Sequence, residues 1–189
     1  MKKVFLMLLV SVCALAGASQ SANAQMMSDS NPMVGGAAMH KTKNIVENAI
    51  NSADHTTLVA AVKAAGLVDT LASAGPFTVF APTNAAFDKL SAGTVDTLVK
   101  PENKAMLTKI LTYHVLAGKF DSNAIAKRIS KGGGRAQFKT VSGDTLTAWM
   151  GGNDLLLRDE KGGTSRVTIA NVNQSNGVIH VVDSVLLPK

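Results

Sequence analysis

The chain has 189 residues and a formal net charge of +6, and 46% of its residues are hydrophobic. Its single cysteine, Cys13, lies in an N-terminal apolar run, so the chain beyond that run contains no thiol. This excludes disulfides, cysteine-bound metals and thiol catalysis from the downstream part. Basic residues are scattered among acidic ones, and aromatic residues are not interleaved with basic runs. The composition therefore argues against nucleic-acid binding.

The first 24 residues have the pattern of a secretory signal peptide. Lys2 and Lys3 precede an apolar run over residues 4–18, and small residues follow, ending in Ala24. Cleavage after Ala24 leaves 165 residues with a formal net charge of +4, because both lysines are removed. The apolar run is shorter than the roughly 20 residues needed to cross a bilayer. We therefore expect an exported protein, periplasmic or extracellular, with no membrane span in the mature chain.

Residues 25–40 form a segment rich in methionine, serine and glycine, without helical or strand periodicity. Methionine and histidine are soft ligands that an exported copper-binding segment would use. Methionine also fills gaps where an arm packs against a core. The candidate ligands, which follow no ligand spacing, are Met26, Met27, Met33, Met39 and His40. We interpret residues 25–40 as an N-terminal arm and residues 41–189 as one domain.

The first half of that domain has helical periodicity. Apolar residues recur at spacings of three and four, which is typical of one buried helix face. Asp54 is the expected N-cap of the second helix, and Gly66 is its expected C-terminal stop. Four helical stretches with this pattern are expected. They are residues 45–50, 58–65, 106–111 and 122–129.

Two short strand patterns interrupt the helices. Residues 77–80 are β-type and end before Pro82, and Thr83 or Asn84 is placed to cap the next helical turn. Residues 112–116, with the sequence TYHVL, break the helical periodicity and also predict a strand.

Beyond a glycine run at residues 132–134, the sequence changes to β-type patterns separated by turns. Asn176-Gly177 between two such patterns is a strong hairpin signal. The sequence KGGGR at residues 131–135 reads as a flexible loop, or as a basic loop whose backbone N–H groups contact an anion. A helix-rich first half and a β-rich second half predict an α+β domain. The expected strands are residues 137–141, 145–150, 154–157, 167–172 and 178–186.

Three segments resemble the conserved motifs of fasciclin domains. TVFAPTNAAF at residues 78–87 resembles the first box, and VIHVVDSVLLP at residues 178–188 resembles the second. Tyr113-His114 lies between them, where the family has its Tyr-His motif. The likeness covers residues 41–189 and implies a β wedge or sandwich flanked by short helices. The two boxes lie at opposite ends of the domain, so we expect its first and last parts to pack together.

The second box also predicts a central strand from its residues alone. Side chains alternate between the two faces of a strand, and both sets of alternating residues here are largely apolar. A strand of this kind is covered on both faces. His180, which has apolar neighbours, is expected to be a hydrogen-bonded core residue.

The resemblance implies adhesion, with a protein or a surface polysaccharide as the partner. It also implies a contact role for the Tyr-His segment, which in this chain comprises Tyr113, His114 and Val115 with their apolar neighbours Leu111 and Leu116. The residues themselves also allow a structural interpretation, in which tyrosine and histidine pack inside the domain with a polar atom bonded to the backbone.

The leading hypothesis is an exported, non-enzymatic module for adhesion or surface association. The sequence lacks the common nucleophile-elbow, zinc-protease and nucleotide-binding motifs, so no catalytic residue or cofactor is predicted. One alternative is a periplasmic carrier of a carotenoid-like lipophile, with an apolar groove formed by residues 107–116. Another alternative is copper binding by the N-terminal arm. The sequence leaves the oligomeric state open.

Overall fold

A small hairpin begins the part of the chain that the computed structural model describes, residues 31–189. Strands β1 (Met33–Val34) and β2 (Ala37–Ala38) pair antiparallel. Val34 and Met39 are buried in the core, so this hairpin belongs to the compact unit Asn31–Lys189. The predicted signal peptide and the first part of the predicted arm lie outside the described residues.

Short helices dominate the first half of the unit, as the apolar periodicity predicts. Gly66 ends the second helix in the left-handed conformation, with φ of +73°, which confirms the predicted stop. The predicted N-cap at Asp54 is wrong, because Asp54 lies within a 3-10 turn. The first turn of that helix is capped instead by Asn84, whose side-chain oxygen accepts the Thr57 backbone N–H over 3.0 Å. Thr83 caps α4 by accepting from the Ala86 backbone N–H. The helices are α1 (Ile45–Ala49), α2 (Thr56–Ala65), α3 (Val68–Ala72), α4 (Asn84–Asp88), α5 (Thr94–Leu98), α6 (Lys104–Tyr113) and α7 (Ser122–Lys131).

The strand predicted at residues 112–116 is wrong in its first half. Helix α6 continues to Tyr113 and is followed by strand β4 (Val115–Ala117). The buried helical stripe of Leu107, Ile110 and Leu111 continues to His114 with the same spacing of three and four. This tertiary packing overrides the local β propensity of the Thr-Tyr sequence.

One seven-stranded sheet contains the remaining strands. Its order is β4-β3-β9-β8-β7-β6-β5, and only β3 and β9 pair in parallel. The last strand ends at Val182, four residues before the predicted end, and the chain bends at Asp183, whose side chain accepts the Arg166 backbone N–H. The strands are β3 (Phe77–Pro82), β5 (Arg135–Lys139), β6 (Thr145–Gly151), β7 (Asp154–Arg158), β8 (Thr164–Gln174) and β9 (Gly177–Val182).

The two family-like boxes pair with each other at the centre of this sheet. Strand β9 is buried along its whole length, which confirms that it is covered on both faces. Ile179 and Val181 pack into the core beneath the helices, whereas Val182 packs into a second core inside the curved sheet. Val79 and Phe80 of β3 divide between the two cores in the same way. The α+β class is confirmed.

The two edge strands of the sheet approach each other. Leu116 of β4 and Thr140, which follows β5, form an isolated antiparallel bridge. The Val141 backbone N–H donates to the Val115 carbonyl over 2.8 Å. The sheet is therefore almost closed on itself, around the second core.

Asn176 joins the hairpin between β8 and β9 to the first helices. Its side-chain oxygen accepts the Ile45 backbone N–H over 3.0 Å, at the start of α1. Its side-chain nitrogen donates to the Leu71 and Ser73 carbonyls at the end of α3, both over 2.8 Å. The predicted Asn176-Gly177 hairpin is confirmed, and this asparagine also satisfies backbone groups of two helices.

We expect Asn176→Ala to lower the free energy of unfolding by about 3 kcal/mol, because it leaves one buried N–H and two carbonyls without partners. Asn176→Asp should lose at least as much, since it keeps the acceptor for Ile45 but brings a buried carboxylate oxygen against the Leu71 and Ser73 carbonyls. Asn153→Ala, in the exposed turn between β6 and β7, is the control and should change stability by less than about 0.5 kcal/mol. Urea denaturation measures all three variants, and equal losses at positions 176 and 153 would contradict this account.

Candidate functional site

All five residues of the predicted contact segment lie in the interior. Leu111 and Tyr113 are on the last turn of α6, His114 follows that helix, and Val115 and Leu116 begin β4. Each of the five is at most 5% exposed. The structure brings them together, but as a junction between a helix and the sheet. A contact role for these side chains stays a prediction.

Tyr113 connects α6 to the β-rich half. Its hydroxyl donates to the Thr145 carbonyl over 2.8 Å and accepts the Glu160 backbone N–H over 3.3 Å. Burial raises the pKa of this hydroxyl above its ordinary value. Tyr113 therefore remains a neutral phenol that holds the loop after β7 against the helix.

His114 connects α6 to the C-terminal segment. Its Nε2 accepts the Leu186 backbone N–H over 3.0 Å, which places the proton on Nδ1, and Nδ1 donates to the Ile110 carbonyl over 2.8 Å. Burial lowers the pKa of His114 to about 4, although the bond to Ile110 and the charge of Asp159 oppose this shift. The ring is neutral at ordinary pH.

His180 has the same character on the central strand β9. Its ring nitrogens contact the Phe120 carbonyl over 2.9 Å and the Asn171 backbone N–H over 3.4 Å. Burial lowers its pKa below the ordinary value. The expectation of a hydrogen-bonded core histidine is confirmed.

An apolar cavity of about 50 Å³ lies beside the Tyr-His segment, between the first helices and the sheet. Leu111, His114 and Val115 line it, together with Leu58, Val62 and Ile179. Pockets for drug-sized ligands have volumes of about 300–1,000 Å³. The cavity in this conformation is therefore too small for a carotenoid-like molecule, and the carrier alternative stays a prediction.

The described part of the N-terminal arm does not gather its candidate copper ligands. Met33 is 60% exposed, whereas Met39 is buried at 2%, and His40 is exposed beside Asn31. Within residues 31–189, no group of three or more histidine, cysteine, aspartate or glutamate side chains could hold a metal ion. Met26 and Met27 lie outside the described residues, so copper binding by the arm stays a prediction.

The exposed side of β5, β6 and β7 is a surface that the sequence analysis did not single out. We call it the outer sheet face. Every second residue of these strands, such as Phe138, Leu146 and Ala148, points inward and packs in the second core. The residues between them therefore point outward and form this face. The outer sheet face has six central members, which are Arg135, Gln137, Thr147, Trp149, Leu156 and Arg158.

Strand register arranges these six residues in two adjacent rows across the sheet. One row pairs Arg135 with Trp149 and Trp149 with Leu156. The other row pairs Gln137 with Thr147 and Thr147 with Arg158. Directly opposite side chains on neighbouring strands have Cβ atoms about 4.5–5.5 Å apart. The only tryptophan of the chain thus lies half-buried beside an arginine on an uncovered sheet surface.

A shallow groove of about 470 Å³ crosses this face. Its lining consists of Gly132, Arg135, Gln137, Thr147 and Arg158. Among the described residues, neither arginine forms an ion pair, whereas Arg166 on β8 pairs with two aspartates. The groove therefore presents cationic groups that no neighbouring carboxylate neutralises.

The glycine run at residues 132–134, beside this groove, terminates helix α7. The Gly132 N–H donates to the Arg128 carbonyl over 2.9 Å, and the Gly134 N–H donates to the Ile129 carbonyl over 2.9 Å. Both bonds satisfy carbonyl groups at the end of α7. The backbone N–H groups of these two glycines are thus engaged, and an anion at this place would meet arginine side chains instead.

A family model for the fasciclin domain matches residues 53–188. This chain belongs to the fasciclin domain family. The match spans both boxes and the Tyr-His segment, so the resemblance inferred from these motifs is confirmed.

Individual relatives agree with this assignment. Protein sll1483 of Synechocystis is 46% identical over 158 residues, which are 82% of this chain and 79% of that protein. The cell surface glycolipoprotein MPB83 of Mycobacterium bovis is 42% identical over 122 residues, covering 65% of this chain and 48% of that protein.

A solved structure of a FAS1 domain pair from the insect cell adhesion molecule Fasciclin I has the same fold. It superposes with a TM-score of 0.69 at 16% sequence identity. The superposition covers 77% of this chain and 51% of that chain, which spans two domains. The fasciclin-like fold is confirmed. Within residues 31–189, no helix is both long and apolar enough to cross a bilayer.

The buried histidine after α6 makes stability depend on pH. Between about pH 6.5 and pH 4, the unfolded chain binds a proton at position 114 and the folded domain does not. We therefore expect the free energy of unfolding to fall with decreasing pH, by about 3 kcal/mol from this group over that window.

Urea denaturation at several pH values, compared with His114→Gln, measures this contribution. His55 and His180, whose pKa values burial also lowers, remain in both proteins, so the difference isolates position 114. Parallel pH profiles for the two proteins would contradict the expectation. NMR titration of the wild-type ring, which should stay neutral down to about pH 4, is an independent check.

Proposed function

We propose that this fasciclin domain is an exported, non-enzymatic module that attaches to a surface by binding a protein or a polysaccharide. The observation that carries the proposal is the outer sheet face, which is open, basic and uncovered. Enzymes and carriers usually enclose small ligands in concave pockets. An open face of this kind suits a partner larger than the groove itself.

Family membership and relatives support the same proposal. The superposed structure comes from an insect cell adhesion molecule, and the mycobacterial relative is named as a cell surface glycolipoprotein. The N-terminal pattern of residues 1–24 supports export. Attachment to a surface outside the cytoplasm requires export from the cytoplasm as well as an ability to bind that surface.

The disposition of the histidines supports a non-enzymatic role. General acid–base catalysis needs a titratable group within reach of a substrate. His55, His114 and His180 are buried, and the last two have both ring nitrogens bonded to backbone groups. These three imidazoles are withdrawn from the surface.

Export is tested with the full chain expressed in a bacterium. We expect the protein outside the cytoplasm, shortened by cleavage after Ala24, because a lysine pair precedes the apolar run. The double variant Leu8→Arg/Leu9→Arg, which interrupts that run, should remain uncleaved in the cytoplasm. Fractionation and mass spectrometry of the N-terminus measure both results. An uncleaved wild-type protein in the cytoplasm would refute export.

Attachment is tested by sedimentation of the exported protein with isolated envelope material. Separate samples contain purified envelope polysaccharide and detergent-extracted envelope protein. Albumin replaces the exported protein in a control that measures non-specific adsorption. We expect saturable binding to one of the two fractions, since the proposal requires a macromolecular partner. The absence of saturable binding to either fraction would overturn the proposed function.

A further inference from the structure

We propose that the outer sheet face binds an acidic polysaccharide, with a sugar ring stacked on Trp149 and its acidic groups bound by Arg135 and Arg158. This inference rests on the proposed function and names the partner and the surface. It depends on three features of the face, which are a half-buried indole on the outer surface, two arginines without ion pairs and an open groove.

The aromatic residue favours a sugar over other anions. Trp149 is on the same side of β6 as Thr147, opposite the buried Ala148, so its ring lies on the outer surface. Leu156, the partner of Trp149 on β7, continues the apolar strip across the strands. An indole offers a flat apolar surface with a polar edge. The C–H face of a pyranose ring fits that surface, and its hydroxyl groups remain free for polar neighbours.

Those polar neighbours are present in the adjacent row. Gln137 and Thr147 line the groove, and both have side chains that donate and accept hydrogen bonds. Sugar hydroxyl groups need both kinds of partner. A row of hydrogen-bonding side chains beside an aromatic ring therefore matches the mixed surface of a carbohydrate better than that of an apolar ligand.

The two arginines favour an acidic sugar. Arg135 and Arg158 line the same groove from β5 and β7, on either side of β6. A guanidinium group binds a carboxylate or a sulfate through two parallel hydrogen bonds. The nearby acidic groups are engaged elsewhere, since Asp154 pairs with Arg166 and Glu160 accepts the Thr145 backbone N–H. Charge complementarity thus predicts a polyanion.

Geometry favours a polymer over a single sugar. Neighbouring strands lie about 4.8 Å apart, so side chains from β5 and β7 are separated by roughly two strand spacings. At such distances, Arg135, Arg158 and Trp149 would contact successive sugar units of one polysaccharide. The groove is shallow and not enclosed, as a polymer that continues beyond the site requires.

The experiment uses the exported protein with polygalacturonate as the acidic polysaccharide and dextran as the neutral one. Polyphosphate is included as a polyanion without sugar rings. Trp149 is the only tryptophan of the chain, so its fluorescence reports directly on a ring that stacks against it. Titrations at two salt concentrations give the affinity, and the difference between them measures the electrostatic contribution to binding.

We expect binding to polygalacturonate with a change in tryptophan emission, and weaker binding at higher salt. Trp149→Ala and the double variant Arg135→Gln/Arg158→Gln should each weaken binding by about tenfold or more, as expected for loss of a stacking contact or of charge-assisted hydrogen bonds. Trp149→Phe should lose less. The control Lys100→Gln/Lys104→Gln removes the same charge from exposed positions of the helical half and should bind like the wild type.

Three outcomes would overturn the inference. Equal affinity for polyphosphate without an effect of Trp149→Ala would indicate a general cationic patch. Unchanged binding of polygalacturonate by the double arginine variant would place the site elsewhere. Binding to envelope protein alone would leave the proposed function intact and eliminate the polysaccharide. Thermal melts of each variant verify that it is folded, because all the exchanged side chains lie on the surface.

Discussion

The parallel pairing of β3 with β9 is the constraint on which the rest of this domain depends. It joins residues that are 100 positions apart, from Phe77 opposite Gly177 to Pro82 opposite Val182. A Cβ atom on Gly177 would collide with the Phe77 carbonyl, so this approach requires glycine. The paired strands separate the two hydrophobic cores, and each core organises one half of the molecule. Helices of the first half pack on one side, and the curved sheet together with α7 encloses the other.

The Tyr-His segment lies between the two cores that this strand pair separates. Tyr113 and His114 lie where α6 meets the sheet, and their polar atoms bind backbone groups of the β-rich half and of the C-terminal segment. The segment for which the family resemblance implies a contact role is buried here, at the junction between a helix and the sheet. The outer sheet face, which we propose as the binding surface, lies on the opposite side of the second core, on strands that contain none of the family boxes.

Much of the fold was predictable because its signals are local. Periodicity identified the helices, Asn176-Gly177 identified the hairpin, and the two-sided apolar pattern of β9 identified a central strand. The strand expected at residues 112–116 failed because helix packing overrides local propensity there. The outer sheet face was missed because Arg135, Trp149 and Arg158 become neighbours only through strand order. The alternation of Thr145, Thr147 and Trp149 was the one available signal, and it indicates a face without indicating its function.

The bridge between Leu116 and Thr140 has a consequence for aggregation. Open sheet edges are templates for pairing with other chains, and they invite aggregation. In this domain, the two outermost strands are short, they meet at the bridge, and β5 carries the cations Arg135 and Lys139. The domain is therefore protected from intermolecular strand addition by geometry and charge. The same protection leaves side chains, and not the backbone groups of its edges, as the surface that the sheet offers to other molecules.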